Sequence, residues 1–283
     1  MDIKVGISEA IGMRDNMEDH HAVHGGPDLP LFSAEVYDGH LGREAARLAS
    51  EMLTPHFLNR WYEEQEKPAF DRLNEILLLR EAYNAVDEYI IHEGIQGGTA
   101  AATLLLMGER FLAANAGDSR VIIGTGSGVE TLTLDHKPDL PEERERIESL
   151  GGVITHLGTP RVMGFLAMTR ALGDRDLKPF VTSEPRIVSG LLGRENDYAV
   201  LACDGVWDVL TPEIVIAVIR EAREAQKGAD AIKDRAIREG SMDNVTVLVL
   251  DLKAHTARMT RERMEVRTVL DMALPHDPED GLM

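Results

Sequence analysis

Residues 32–40 read Phe32-Ser33-Ala34-Glu35-Val36-Tyr37-Asp38-Gly39-His40. Apolar and polar side chains alternate from Phe32 to Tyr37, the period of a half-buried β-strand. That strand delivers an aspartate, Asp38, at its end. The same placement recurs further on. The apolar run Tyr198–Cys203 is followed by Asp204-Gly205, and Asp243 precedes a strand over Val245–Leu252. A strand antiparallel to the first two brings its start to the edge where they end, so these carboxylates can meet. Upstream, the turn-rich Gly25-Gly26-Pro27-Asp28-Leu29-Pro30 joins Asp19–His24 to Leu31–Tyr37, and antiparallel pairing sets Glu18 or Asp19 near Asp38. Carboxylates packed so closely repel at low dielectric unless cations neutralise them. Oxygen donors without cysteine select hard cations, Mg²⁺ or Mn²⁺ in preference to zinc. The bare backbone of Gly39 lets its carbonyl approach a metal, and His40 is available for proton transfer. Arg14, four residues before Glu18, suits a phosphate clamp, because guanidinium pairs with phosphate through two parallel hydrogen bonds.

Around these sites the pattern mixes strands and helices without regular βαβ alternation. Ala45, Leu48, Ala49, Met52 and Leu53 form a helical stripe that Pro55 is expected to end. A longer helix is expected from Phe70 through Leu73, Ile76, Leu77, Tyr83 and Val86 to Ile90. Strands follow over Thr99–Met107, Arg110–Ala116, Arg120–Gly124 and Val129–Leu134. A short helix opens at Asp139-Leu140-Pro141-Glu142-Glu143, another at Thr211-Pro212-Glu213, and a third runs from about Ala229 to Glu239. Pairs of helices separated by groups of strands predict sheets packed together with helices outside. Residues 1–252 contain neither a repeat nor a Pro/Ser-rich linker and read as one domain. Residues 253–283 read as a C-terminal helical extension, with Met259, Val266, Val269, Leu270 and Ala273 on one face, and an acidic tail after Pro275. The favoured reading has this helix on the domain's own surface, the other has it binding a partner.

Composition excludes several classes. The chain has 283 residues, 43% of them apolar, and its 30 basic and 49 acidic side chains leave a net charge of −19. A core-forming apolar fraction excludes intrinsic disorder. The acidic excess repels nucleic acid and anionic membranes. No apolar run is long enough to span a bilayer. With one cysteine, Cys203, there is no disulfide framework, and Met1–Gly6 has no secretory pattern, so a cytoplasmic monomer is expected.

Ordered along the chain are Arg14-Asp15-Asn16-Met17-Glu18-Asp19, Tyr37-Asp38-Gly39-His40, Gly97-Gly98-Thr99-Ala100 and Asn115-Ala116-Gly117-Asp118-Ser119-Arg120. Asp135-His136-Lys137-Pro138, Leu166-Ala167-Met168-Thr169-Arg170-Ala171-Leu172-Gly173-Asp174, Asp204-Gly205-Val206-Trp207-Asp208 and Asp243-Asn244-Val245-Thr246 follow. The set resembles the metal-dependent protein serine/threonine phosphatases of the PPM (PP2C) family over residues 1 to about 252. The resemblance implies an α+β, four-layer αββα sandwich: two mainly antiparallel β-sheets packed face to face and flanked by helices. It implies hydrolysis of phosphoserine and phosphothreonine in protein substrates by a metal-bridging hydroxide. Asp38 would bridge two metals, with the Gly39 carbonyl and Glu18 on one and Asp204 and Asp243 on the other. Asp118 would help hold a weaker third ion near Asp204, and Asp19 would stand behind the ligands. Arg14 would hold the phosphate, and His40 would protonate the leaving oxygen.

The sequence departs from the family at Leu41, which replaces the first glycine of the closing Gly-Gly pair in the Asp-Gly-His-Gly-Gly that many members have, while Gly42 is kept. Leucine enters a left-handed backbone only at a cost. The segment Arg175–Ser183, which corresponds to the family's flap, is short. Two other functions stay open: an inactive binding protein of the same fold, and a hydrolase of small phosphorylated metabolites. A cysteine-nucleophile site is excluded because Val209, not arginine, stands six residues after Cys203. No Gly-x-Ser-x-Gly, Gly-x4-Gly-Lys or His-Glu-x-x-His occurs.

Overall fold

A computed structural model describes residues 3–26, 29–156 and 158–261. With strands numbered in chain order, one sheet runs β1 (Lys4–Ala10), β13 (Val245–Asp251), β12 (Asn196–Ala202), β6 (Arg120–Thr125) and β7 (Gly128–Thr131). The other runs β11 (Arg186–Leu191), β5 (Arg110–Ala116), β4 (Gly98–Met107), β3 (Phe32–His40) and β2 (His20–His24), with β10 (Leu172–Gly173) beside the start of β4. A small hairpin, β8 (Ile154–Thr155) and β9 (Arg161–Val162), stands apart. All these ladders are antiparallel.

The period of two along the central strands builds the layers. Ala34, Val36, Ala102, Leu104 and Leu106 point into the space between the sheets, against Val121, Leu201, Leu248 and Leu250. Tyr37, Ala101, Leu105 and Leu112 point outward beneath α1 (Glu44–Gln65) and α2 (Glu75–His92). On the far side, Val200, Val247 and Val249 pack under α5 (Pro212–Ala222) and α6 (Ala225–Arg238). Helices, sheet, sheet and helices therefore form the predicted αββα sandwich. Two shorter helices, α3 (Pro141–Ser149) and α4 (Asp204–Trp207), lie in the connections.

Several local expectations need correction. The Phe32–Tyr37 strand is wholly buried, not half-buried. Its polar face is covered by α1: the Thr54 hydroxyl donates to Glu35, and the Tyr37 hydroxyl donates to Glu35 Oε2 at 2.6 Å. Burial without a cation pushes the Glu35 carboxyl up to about 7. Pro55 does not end α1; the helix passes through it to Gln65, because packing of Phe57 and Leu58 outweighs one missing backbone bond. The next helix starts at Glu75, not Phe70, where the Asn74 side chain accepts from the Leu77 amide at 3.0 Å. Phe70 is exposed in a 3₁₀ turn. Helix α6 begins earlier than expected, and β1 is an N-terminal strand the sequence pattern did not reveal. Leu41 adopts the glycine-like backbone, φ 57°, that its side chain disfavours by roughly 1 kcal/mol or more.

Residues 253–261 begin a helix. His255 is buried there, its Nε2 2.8 Å from the Gly108 carbonyl oxygen in the β4–β5 turn. The rest of the expected extension and the acidic tail lie outside the described residues. Among the described residues no helix is long and apolar enough to cross a membrane.

Candidate functional site

The two sheets contribute acids to one edge. Asp38 stands near the end of β3, opposite Ala100 of β4, and the register His20↔Tyr37 carries Asp19 to the level of Asp38. The antiparallel pair β12–β13, in register Ala202↔Val247, sets Asp204 after one strand and Asp243 before the other at that same edge. Asp118 lies in the Gly117–Ser119 link, where the chain leaves β5 in one sheet for β6 in the other. The loop carrying Arg14 and Glu18 is tied down by Asn244. Its Nδ2 donates to the carbonyls of Ile11 at 2.8 Å and Asn16 at 3.0 Å, and its Oδ1 accepts from the Glu18 amide at 2.8 Å. Gly39 must be glycine here, since a Cβ would lie 2.5 Å from the Glu18 carbonyl oxygen.

Arg14, Glu18, Asp38, Gly39, His40, Asp118, Asp204 and Asp243 all line one cavity of about 280 Å³. Carboxylate oxygens of Asp38, Asp118 and Asp204 lie within 4.8 Å of one another. Asp19 does not line the cavity; it is buried behind, with Oδ2 accepting from the Thr246 hydroxyl at 2.7 Å. Buried oxygens of Asp19 (Oδ1) and Asp118 (Oδ1) have no hydrogen-bond partner.

This crowding shows in the acidities. Burial, then Asp204, Asp19, Asp118 and Asp243, holds Asp38 well above the usual carboxylate range. Burial and the neighbouring Asp118, Asp208 and Asp243 push Asp204 up to about 8. Asp19 rises to about 6, mainly through burial. Protonation would relieve the repulsion, and so would a hard divalent cation, which the all-oxygen donor set fits. Cys203 Sγ lies within the same 4.8 Å reach of Asp19 and Asp38. Burial and the surrounding acids raise its thiol well above the ordinary value, which keeps it protonated and agrees with a structural role.

Arg14 is engaged rather than free: its Nη2 pairs with Asp243, the carboxylate assigned to a metal. An exposed guanidinium beside an acidic cluster takes the nearest carboxylate, and a cation on Asp243 would compete for it. His40 is held from one side. Its Nε2 lies 2.8 Å from Asp174 Oδ1, while its buried Nδ1 has no hydrogen-bond partner. Asp174 reaches this position from a left-handed residue, φ 50°, whose amide donates to the Gly97 carbonyl at 2.9 Å. Gly98 leaves room for it, since a Cβ there would lie 2.3 Å from Asp174 Oδ2.

Sequence reasoning quoted the segments containing Asp174, Lys137 and Asp208 but assigned them no role. Lys137 Nζ pairs with Asp118. Burial works against its ammonium, yet Asp118, Asp204 and Asp208 raise its pKa above that of an ordinary lysine. The cavity wall formed by Thr159, Arg161, Leu166, Ala167 and Met168 was also missed, because no local pattern says which loop will overhang a site.

The protein phosphatase 2C family model matches residues 3–245. "Probable protein phosphatase 2C 69" of Arabidopsis thaliana is 34% identical over 253 residues, 87% of this chain and 69% of that protein. "Probable protein phosphatase 2C 59" of the same plant is 35% identical, covering 87% of this chain and 78% of its own. A serine-threonine phosphatase 2C from Toxoplasma gondii superposes with TM-score 0.79 at 24% identity, over 88% of this chain and 94% of that one, a likeness of fold. A match spanning nearly the whole described chain, joined to a carboxylate cluster built where two sheets meet, makes this chain a member of the protein phosphatase 2C family.

Proposed function

We propose that this chain is a metal-dependent phosphatase that hydrolyses phosphoserine and phosphothreonine in protein substrates. The observation carrying this reading is the convergence of Asp38, Asp118 and Asp204 with Arg14 and His40 on one cavity. Asp38 would be shared by two Mg²⁺ or Mn²⁺ ions, with Glu18 and the Gly39 carbonyl on one and Asp204 and Asp243 on the other. Asp118 would help hold a weaker third, and Asp19 supports the cluster from behind. Cations bound there would lower the pKa of water into the neutral range and draw charge from phosphoryl oxygens.

The chain's own groups do the rest. Arg14 exchanges Asp243 for the phosphate oxygens, which its planar fork suits better than a lysine would. His40 gives a proton to the departing serine or threonine oxygen, which is too basic to leave unaided. Asp174 on its Nε2 keeps the ring oriented. Residues 1–252 form the catalytic domain and 253–283 an extension, whose described residues 253–261 pack on that domain through His255 against the Gly108 carbonyl. A cytoplasmic monomer without affinity for nucleic acid or membrane is part of the same proposal, resting on charge and composition.

Turnover of a phosphothreonine peptide and of sugar phosphates, each with and without Mn²⁺, tests it. Metal-dependent turnover favouring the peptide is expected. Preference for sugar phosphates would instead make the chain a metabolite hydrolase, and no turnover of either would make it a binding protein.

A further inference from the structure

Leu41 pairs two unfavourable features. It holds a left-handed backbone at φ 57°, and its side chain is 80% exposed. Neither core packing nor a hydrogen bond of the side chain offsets them, and glycine would avoid both. Such a residue needs another reason, and its surroundings supply one.

Leu41 lines a second cavity, of about 340 Å³, together with Ile95, Gly97, Phe165, Asp174 and Leu177. Phe165 is 73% exposed as well, yet its position is not loose. Its amide donates to the Val162 carbonyl at 2.9 Å, and the Val162 amide donates to the Leu166 carbonyl at 2.8 Å, closing a tight turn. Two apolar side chains are thus presented to solvent on backbone that is strained in one case and hydrogen-bonded in the other.

This second cavity adjoins the catalytic one. His40 lines the phosphate cavity and the next residue, Leu41, lines its neighbour; Leu166 lines the first and Phe165 the second. His40 of the first cavity and Asp174 of the second are in direct contact, with Nε2 and Oδ1 2.8 Å apart. A chain segment whose phosphorylated residue reaches His40 has Leu41 and Phe165 beside it on this side of the site. We propose that the Leu41–Phe165 pocket binds an aliphatic side chain of the phosphoprotein substrate close to the phosphorylated residue, and that Leu41 is the residue of this chain that sets that preference. Asp174, Arg175 and Asp176 line the same cavity, so it sets a few polar groups beside its apolar ones, the usual make-up of a side-chain pocket.

The inference rests on the phosphatase reading above, and one experiment separates the two. Two phosphothreonine peptides are compared with Mn²⁺, identical except that the residues flanking the phosphothreonine are leucine in one and glycine in the other. p-Nitrophenyl phosphate is the third substrate. For the unaltered chain kcat/KM should favour the leucine peptide about tenfold, the scale on which an apolar pocket discriminates. In Leu41→Gly that ratio should fall to about one. Because the ratio is taken within one variant, any shared change in folding or metal binding cancels. Phe165→Ala is the second variant, and its ratio should fall likewise. Equal kcat/KM for both peptides in the unaltered chain would overturn the pocket alone, as would a tenfold ratio surviving both substitutions. No turnover of any of the three substrates would overturn the phosphatase reading and the pocket with it.

Discussion

Two of the buried acidic centres in this molecule have surroundings that differ in kind. Glu143, on α3, accepts from Arg146 Nη2 at 2.9 Å, Arg170 Nε at 2.9 Å and the Thr169 hydroxyl at 2.7 Å. Burial opposes its charge, but Arg170, Thr169 and Arg146 overcome it and hold the carboxyl at about 2. The Asp38–Asp118–Asp204 cluster has Lys137 on one member and otherwise only more acid. Asp38 and Asp204 rise where Glu143 falls. A buried acid kept for structure is surrounded by donors. One left crowded and under-partnered is waiting for a cation or a substrate.

The largest expected effect lies in the crowded centre. Asp38→Asn and Asp204→Asn should each lower phosphopeptide turnover by on the order of 10³ or more. Their melting temperatures in EDTA should hold or rise, because each removes a repelling charge. A fall in melting temperature as large as the loss of turnover would erase the contrast between the two centres.

Glu143→Gln should behave in the opposite way. Leaving Arg170 and Arg146 without their carboxylate should cost about 4 kcal/mol of stability, measured by denaturant unfolding. The pH dependence sharpens the point. Glu143 titrates near 2 when folded and near 4.5 as an ordinary glutamate, so its contribution is full above 4.5 and is lost as pH falls toward 2. Glu35, raised to about 7, runs the other way: its penalty is absent below 4.5, grows through 7, and reaches about 3 kcal/mol above it. Glu35→Gln should flatten that alkaline slope while leaving the acid one.

The smallest effect separates support from chemistry within the site. Asp174→Asn keeps the left-handed backbone, which asparagine tolerates, but weakens the hold on His40. Phosphopeptide hydrolysis should slow about tenfold and p-nitrophenyl phosphate hydrolysis by less than twofold, since nitrophenolate leaves without a proton. Equal losses on both substrates would assign Asp174 to structure, beside Glu143.

How much of this was legible in the sequence follows from the range of each interaction. Alternation along β3 and aspartates at strand ends are local signals, and they led to the shared edge where Asp38, Asp204 and Asp243 stand. The polar face of β3 was misread as solvent-facing because its cover, Thr54 on α1, is distant in sequence and has no periodic mark. Pro55 was misread because tertiary packing of α1 outweighs a local breaker. The link between Asp174 and His40 spans 134 positions and depends on room left by Gly98. Nothing near either residue announces the other.

The central claim is that the Asp38–Asp118–Asp204 cluster is crowded because it holds catalytic divalent cations. Its most direct test is hydrolysis of a phosphothreonine peptide after dialysis against EDTA, followed by titration with Mn²⁺ or Mg²⁺. The account predicts no turnover in the dialysed protein and saturable recovery as metal is added. Full turnover in metal-free buffer would contradict it.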